Sequence, residues 1–402
     1  MSKKEKIGKG ALSFIFIMGI VSLFSDMTHE GARSVIGPFL SFTGASASTI
    51  GFVSGLGELC GYSLRLISGP LADRSGKYWT LVIVGYALQV LAVPLLALVP
   101  ENGWLLASSL IILERSAKAL KKPAKNSLVS FAASEIGTGK GFAYMEVLDQ
   151  VGAFIGPVII FLMSYFGGKG SELETYHRSF SILLIPALIT IVLVIFAWRK
   201  YPHPEVFEKK SEKCEEKFQI KLPFVLFMVA ISLFAFGFAD FSILSLHSAT
   251  KGFFPQSTIS LLYALAMAVD AVAALVFGNL YDKIGLKSLV IATIISSFFP
   301  FFAFVSNKPW MVIMGIVLWG IGMGAEESIM KSAVASIVPK NMRSTGFGVF
   351  ETVFGIAWFL GSWLLGVLYD SNITLMAVVS FVSQVLAIVL YLITIKAEKK
   401  NG

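Results

Sequence analysis

Apolar residues run along this chain in long blocks separated by short polar clusters, and the length of a block decides what it builds. A helix that crosses the hydrocarbon core of a bilayer needs about 20 mainly apolar residues. Twelve such blocks begin near Ala11, Ile50, Trp79, Trp104, Gly141, Phe180, Pro223, Ser257, Ser288, Pro309, Gly346 and Thr374. The spacing predicts twelve transmembrane helices and no sheet. The sixth block runs out at Trp198, and residues 199–221 are charged, rich in Lys and Glu, and contain Pro202 and Pro204. That stretch reads as a cytoplasmic linker between a six-helix half, residues 1–198, and a second, residues 222–402.

The first block is unusual. From Ala11 to Phe24 it supplies only about 14 apolar residues, too few to cross alone. The helix must continue through Asp26, His29, Glu30 and Arg33 into Val35, Ile36, Phe39 and Leu40. At 3.6 residues per turn, the spacing i, i+3, i+4, i+7 places the four ionisable side chains on one face. Ionisable groups at membrane depth are expensive, and they mark a pathway for protons, ions or solute. The competing reading is an internally neutralised pair, Asp26 or Glu30 with Arg33.

Charge elsewhere follows a period of three. Acidic or basic residues fall inside the predicted helices 1, 2, 4, 5, 7, 8, 10 and 11, and none inside 3, 6, 9 and 12. Eight helices therefore face a polar interior and four can face lipid. The halves also repeat. GPLADRSGK (Gly69 to Lys77) returns as GNLYDKIGLK (Gly278 to Lys287), pairing Asp73 with Asp282. GFAYMEVLDQVGAFIG (Gly141 to Gly156) aligns with GFGVFETVFGIAWFLG (Gly346 to Gly361), pairing Glu146 with Glu351, and FSD at Asp26 corresponds to FAD at Asp240. Parallel repeats of this kind predict a central cavity between the halves near the bilayer midplane.

Composition agrees with the pattern: 55% hydrophobic and 14% charged residues, with a mean hydropathy of +0.77, describe an all-α polytopic membrane protein. The Lys and Arg residues cluster at the termini, the Arg74–Lys77 turn, the Lys118 to Lys140 group, the linker and the Lys283, Lys287, Lys331, Lys340 and Arg343 turns. By the positive-inside rule both termini are cytoplasmic, and only Arg33, Arg65 and Arg115 remain as intramembrane cations. The net charge of +8 is then an insertion signal suited to anionic lipid, and no nucleic-acid module accompanies it. The first helix has positive residues before it but no early small-residue cleavage site, and reads as a retained anchor. Cys60 and Cys214 have neither disulfide nor metal-ligand spacing. An ATP-driven pump is excluded because IGTGKGF lacks the leading Gly and the Ser or Thr of a phosphate-binding loop. No nucleophile motif or cofactor signature suggests an enzyme, and no cofactor is expected beyond a proton gradient.

These motifs resemble those of the major facilitator superfamily of secondary transporters. GPLADRSGK is similar to its signature between helices 2 and 3, at Gly69, Leu71, Ala72, Asp73, Arg74, Gly76 and Lys77. The resemblance implies a cytoplasmic gate at those positions; the repeat adds Asp282 to it, and Glu146 and Glu351, near the cytoplasmic helix ends, read as its partners. LERSAKAL resembles RxxQG of proton-coupled members at Arg115, with Lys118 in place of Gln and Ala119 in place of Gly. GAFIGP (Gly152 to Pro157) resembles the first part of an antiporter motif whose final glycines are absent here. The DxxxE of Asp26 and Glu30, the Lys-rich KALKKPAKNSL loop and EVLDQVGAFIGP look like a prokaryotic subgroup of nickel-resistance-type and drug-type exporters.

The expected activity is secondary transport of a small solute by alternating access, driven by protons, with export favoured. Acids on the helices, Asp26, Glu30, Glu58, Glu114, Asp149, Asp240, Asp270 and others, outnumber the three arginines, which favours a cationic or amphiphilic solute competing with protons. The site residues are Asp26, His29, Glu30, Arg33, Glu58, Arg115, Asp149, Asp240 and Asp270. His29 and His247 with Asp26, Glu30 and Asp240 offer divalent-metal export as an alternative, with no resident metal site. A non-transporting receptor, or an importer, on the same fold is the other alternative. The chain is expected in the plasma membrane as a monomer whose partners are lipid and a small-molecule or ion substrate.

Overall fold

A computed structural model describes residues 3–167, 170–207, 222–337 and 343–401. Its helices are α1 (Lys3–Phe42), α2 (Ala47–Ser63), α3 (Arg65–Ser75), α4 (Tyr78–Ala92), α5 (Trp104–Ile136), α6 (Thr138–Phe166), α7 (Glu172–Ile182) and α8 (Leu184–Lys200). After the linker come α9 (Leu222–Gly237), α10 (Phe241–Thr250), α11 (Gln256–Ile284), α12 (Lys287–Ser296), α13 (Pro309–Ile337), α14 (Arg343–Ser371) and α15 (Ile373–Asn401). Among the described residues there is no strand. The architecture is all-α.

Among the described residues, ten helical stretches are long and apolar enough to cross a membrane. The predicted second and fourth spans are helical as well, as α2–α3 and α5, but they are less apolar. Glu58 and Arg65 interrupt the first, and Glu114, Arg115, Lys118 and Lys121 the second. The predicted sixth span starts earlier than Phe180. Ser171 and Glu174 form a reciprocal capping box that opens α7 at Glu172, each side chain meeting the other's backbone N–H at 3.2 Å.

The chain groups into two compact units, Met1–Arg33 with Cys60–Glu212, and Ser34–Leu59 with Lys213–Gly402. In the first unit, α4 packs along α5 and also meets α8. Its core includes Phe14, Met18, Trp79, Val82, Leu128 and Val194. The start of the predicted linker belongs to this core. Trp79 Nε1 donates to Tyr201 O at 3.1 Å, and the rings of Tyr201 and Phe207 lie 5.4 and 6.5 Å from Phe14. Residues 208–221 of the linker lie outside the described residues.

Glycines set how closely α6 approaches α1. A Cβ on Gly152 would fall 2.2 Å from Leu23 O, and one on Gly156 would fall 2.3 Å from Met27 O. Gly152 and Gly156 are one turn apart, so the two helices touch backbone to backbone there. The antiporter-like glycines thus have a packing role.

In the second unit, α11 packs along α13, and α9 lies against α14 and α15. The outer parts of α1 and α2 pack with these helices. A Cβ on Gly37 would overlap Ser242 O, and one on Gly51 would overlap Ser362 O. The first turn of α2 is capped from α14: Asp370 accepts from Ala47 N at 3.2 Å and Ser48 N at 2.8 Å. Ser46 Oγ accepts from Thr49 N at 3.1 Å. The early donors of α2, which the helix cannot bond itself, are satisfied in this way.

The sequence repeat survives at the turns. Gly76 ends α3 with φ +62° and Gly285 ends α11 with φ +60°, a backbone region that favours glycine. Elsewhere the repeat breaks. α1 is continuous through Asp26, whereas the chain between α9 and α10 is interrupted at residues 238–240. The freed backbone groups find partners: Trp319 Nε1 donates to Ala239 O at 2.9 Å, Ser380 Oγ donates to Gly237 O, and Asp240 Oδ1 accepts from Ser242 N at 2.9 Å. A broken helix is tolerated at membrane depth only with such compensation.

Candidate functional site

The polar face of α1 holds its predicted residues at helical spacing, but they divide between two clusters within the first unit. The outer cluster is centred on His29, which is 3% exposed. Its Nδ1 lies 2.9 Å from Glu114 Oε1, and its Nε2 lies 3.1 Å from Arg115 Nη1. Glu30 Oε1 is 3.5 Å from the same Nε2, while Glu30 Oε2 is 3.8 Å from Arg33 Nη1. Arg115 Nε is 3.7 Å from Glu114 Oε2. A guanidinium can only donate, so His29 Nε2 accepts from Arg115 and the ring proton sits on Nδ1, facing Glu114.

The inner cluster lies about one turn toward the N-terminus of α1. Lys125 Nζ donates to Ser22 Oγ at 2.7 Å and lies 3.8 Å from Asp149 Oδ2 on α6. Lys121 Nζ donates to Ser25 Oγ at 3.2 Å and sits over the Tyr86 ring, 3.4 Å from its centroid. Tyr86 Oη and Ser22 Oγ are 3.2 Å apart. Half-buried Asp26 is in the electrostatic field of Asp149, Lys118, Lys121 and Lys125.

This corrects two expectations. KALKKPAKNSL is not a loop: α5 is helical through Pro123 to Ile136. Lys121 is therefore 5% exposed instead of solvated, and it contacts Ser25, which is 17 residues from each end of the Gly8–Phe42 span. Arg33, Arg65 and Arg115 are not the sole intramembrane cations. The two clusters carry Arg33, Arg115, Lys118, Lys121 and Lys125 against Asp26, Glu30, Glu114 and Asp149. Within this unit the acidic excess that favoured a cationic solute is gone. A run of lysines spaced three or four apart beyond Arg115 was the available signal, and Pro123 masked it. Ser22, Ser25 and Tyr86 carried no sequence signal, because isolated hydroxyls in apolar helices are common.

Other predicted residues fall elsewhere. Asp240 is buried as the N-cap of α10, and Asp270 is buried on α11. Glu58 is half-buried on α2, and the Arg65 guanidinium lies 4.7 Å from the Tyr62 ring. His247 Nδ1 is 3.0 Å from Tyr369 Oη. Among the described residues no three His, Cys, Asp or Glu side chains converge as metal ligands. At the proposed gate, Gly69 lies within α3 and Gly76 ends it, and Tyr78 Oη donates to the exposed Asp73 Oδ1 in the last turn of that helix at 3.2 Å. Arg74, Lys77, Glu146 and Asp282 are exposed and Glu351 is half-buried.

The sequence profile of the Major Facilitator Superfamily matches residues 11–253 and 245–402. An uncharacterized protein of Mycobacterium tuberculosis is 37% identical over 385 residues, covering 94% of this chain and 92% of its own length. An uncharacterized MFS-type transporter of Methanocaldococcus jannaschii is 25% identical over 372 residues, 88% of each. The crystal structure of a nucleoside transporter superposes with a TM-score of 0.75 at 13% identity, over 95% of this chain and 99% of that one, a likeness of fold.

Proposed function

Because the chain belongs to the Major Facilitator Superfamily and is a membrane-spanning secondary transporter, we propose that protons drive it and that His29 Nε2 takes the proton. The observation that carries this reading is the placement of His29 between Glu114 and Arg115. Protonating Nε2 sets two donors, Nε2–H and Arg115 Nη1, face to face at 3.1 Å. They repel, and each has an acceptor nearby: Glu30 Oε1 at 3.5 Å for the imidazolium, and Glu114 Oε2 at 3.7 Å for Arg115. Glu30 then shares its charge between His29 and Arg33. One proton therefore re-pairs α1 with α5, and Lys118 also acts on His29. A two-state pairing of this kind is what couples a proton to a helix movement.

The half antiporter motif at Gly152–Pro157 supports export, with the plasma membrane as location and both termini in the cytoplasm. The gate at Asp73 would close the cytoplasmic end. The test uses sealed proteoliposomes with an internal pH dye and a panel of small solutes. His29→Gln should abolish solute-driven proton movement while leaving solute exchange at equal pH. Proton-coupled flux that survives His29→Gln refutes the assignment of the proton to His29. Absence of any flux in the wild type favours the receptor reading, and uptake with the proton gradient favours import.

A further inference from the structure

We propose that the inner cluster, centred on Lys121 of α5, binds the anionic group of the transported solute, a carboxylate or phosphate. The inference rests on the reading of the chain as a transporter. Lys121 is buried at 5% exposure, and its ammonium forms no ion pair among the described residues. Its contacts are one hydroxyl, Ser25 Oγ at 3.2 Å, and one ring face, Tyr86 at 3.4 Å. An ammonium carries three N–H donors. One neutral hydrogen bond and a cation–π contact compensate only part of the cost of taking such a charge out of water.

The carboxylates in reach are already engaged or shared. Asp149 lies against Lys125, and Asp26 is opposed by Lys118, Lys121 and Lys125 together while it also faces Asp149. Glu146 also acts on Lys125 and Asp149, so the acids of this cluster gather around Lys125, and among the described residues Lys121 has no carboxylate at ion-pair distance to meet its charge. Ser25 accepts from Lys121 and keeps its own O–H to donate. Tyr86 and Ser22 add hydroxyls beside it. An ammonium with adjacent hydroxyl donors suits an oxyanion, and charge-assisted bonds of this type are the strong ones. Beside Lys121, the side chains of Lys125 and Asp149 are 14% and 27% exposed.

The test is binding to the purified full chain in detergent, read by thermal unfolding and titration, so it needs no proton gradient and no flux. The probes are succinate, citrate, benzoate, inorganic phosphate and glucose 6-phosphate, against glucose, uridine and tetraphenylphosphonium. At least one anion should stabilise the protein, and Lys121→Gln should weaken its binding about tenfold or more, with Lys121→Arg restoring part and exposed Lys251→Gln changing nothing. If Lys121→Gln does not fold, Tyr86→Phe is read in its place and should also weaken anion binding. The proposal is overturned if no anion of the panel stabilises the protein, if only neutral or cationic probes do, or if anion binding is unchanged in the folded variant. Anion binding without any flux in proteoliposomes would count against the transport reading and not against this site.

Discussion

Replacing Gly156 by alanine tests the contact that holds α6, and with it Asp149, against the polar face of α1. The added Cβ falls 2.3 Å from Met27 O and 2.8 Å from Gly31 N, whereas ordinary contact begins at 3.4 Å. The shortfall is 1.1 Å, taken as 3.4 less 2.3. Both obstacles are backbone atoms on a continuous helix, so no side chain can rotate out of the way. Overpacking costs about 1–3 kcal/mol, and a backbone clash belongs at the upper end. Alanine regains about 1 kcal/mol over glycine inside a helix, leaving a net loss of about 2 kcal/mol. For a unit of this size that corresponds to an unfolding midpoint lower by about 4–8 °C. Gly61 of α2 is the control, because a Cβ there meets nothing within 4 Å. Gly61→Ala should be neutral or stabilising by about 0.4–1 kcal/mol. Thermal unfolding in detergent reads both. A Gly156→Ala midpoint at or above that of the wild type would refute the close crossing of α1 and α6.

Two further outcomes follow from other parts of the fold. Asp370→Ala removes the acceptor for Ala47 N and Ser48 N; the site is exposed, so the loss is at the low end for a cap, about 0.5–1 kcal/mol. Hydrogen exchange at those two amides should speed up about two- to fivefold, and unchanged exchange would show that α2 is capped by other means. Trp319→Phe deprives Ala239 O of its indole donor at the break between α9 and α10, a loss of about 1–3 kcal/mol for a buried acceptor. Its unfolding midpoint should fall well below that of Trp310→Phe, where the indole is 56% exposed; equal midpoints would argue against a structural role for that bond.

The succession of apolar blocks determined by itself that the chain is a bundle of membrane helices, because only a run of about 20 residues can satisfy both lipid and backbone. The internal repeat was equally legible: Gly76 and Gly285 end corresponding helices with positive φ. So was the spacing of Asp26, His29, Glu30 and Arg33, since a continuous α1 holds them on one face. Tertiary structure decided the partners. Helical periodicity says which face of α1 is polar, but not that its residues divide between the Glu114–Arg115 pair and the Lys121–Lys125 pair. Lys121 looked like part of a topogenic loop because proline and four lysines usually mean solvent; α5 remains helical there, and packing against Tyr86 and Ser25 buries the charge. Asp240 matched Asp26 in sequence, yet it caps a helix end, because the break at residues 238–240 depends on donors from Trp319 and Ser380 far along the chain. Burial and pairing are properties of neighbours distant in sequence, and no local pattern encodes them.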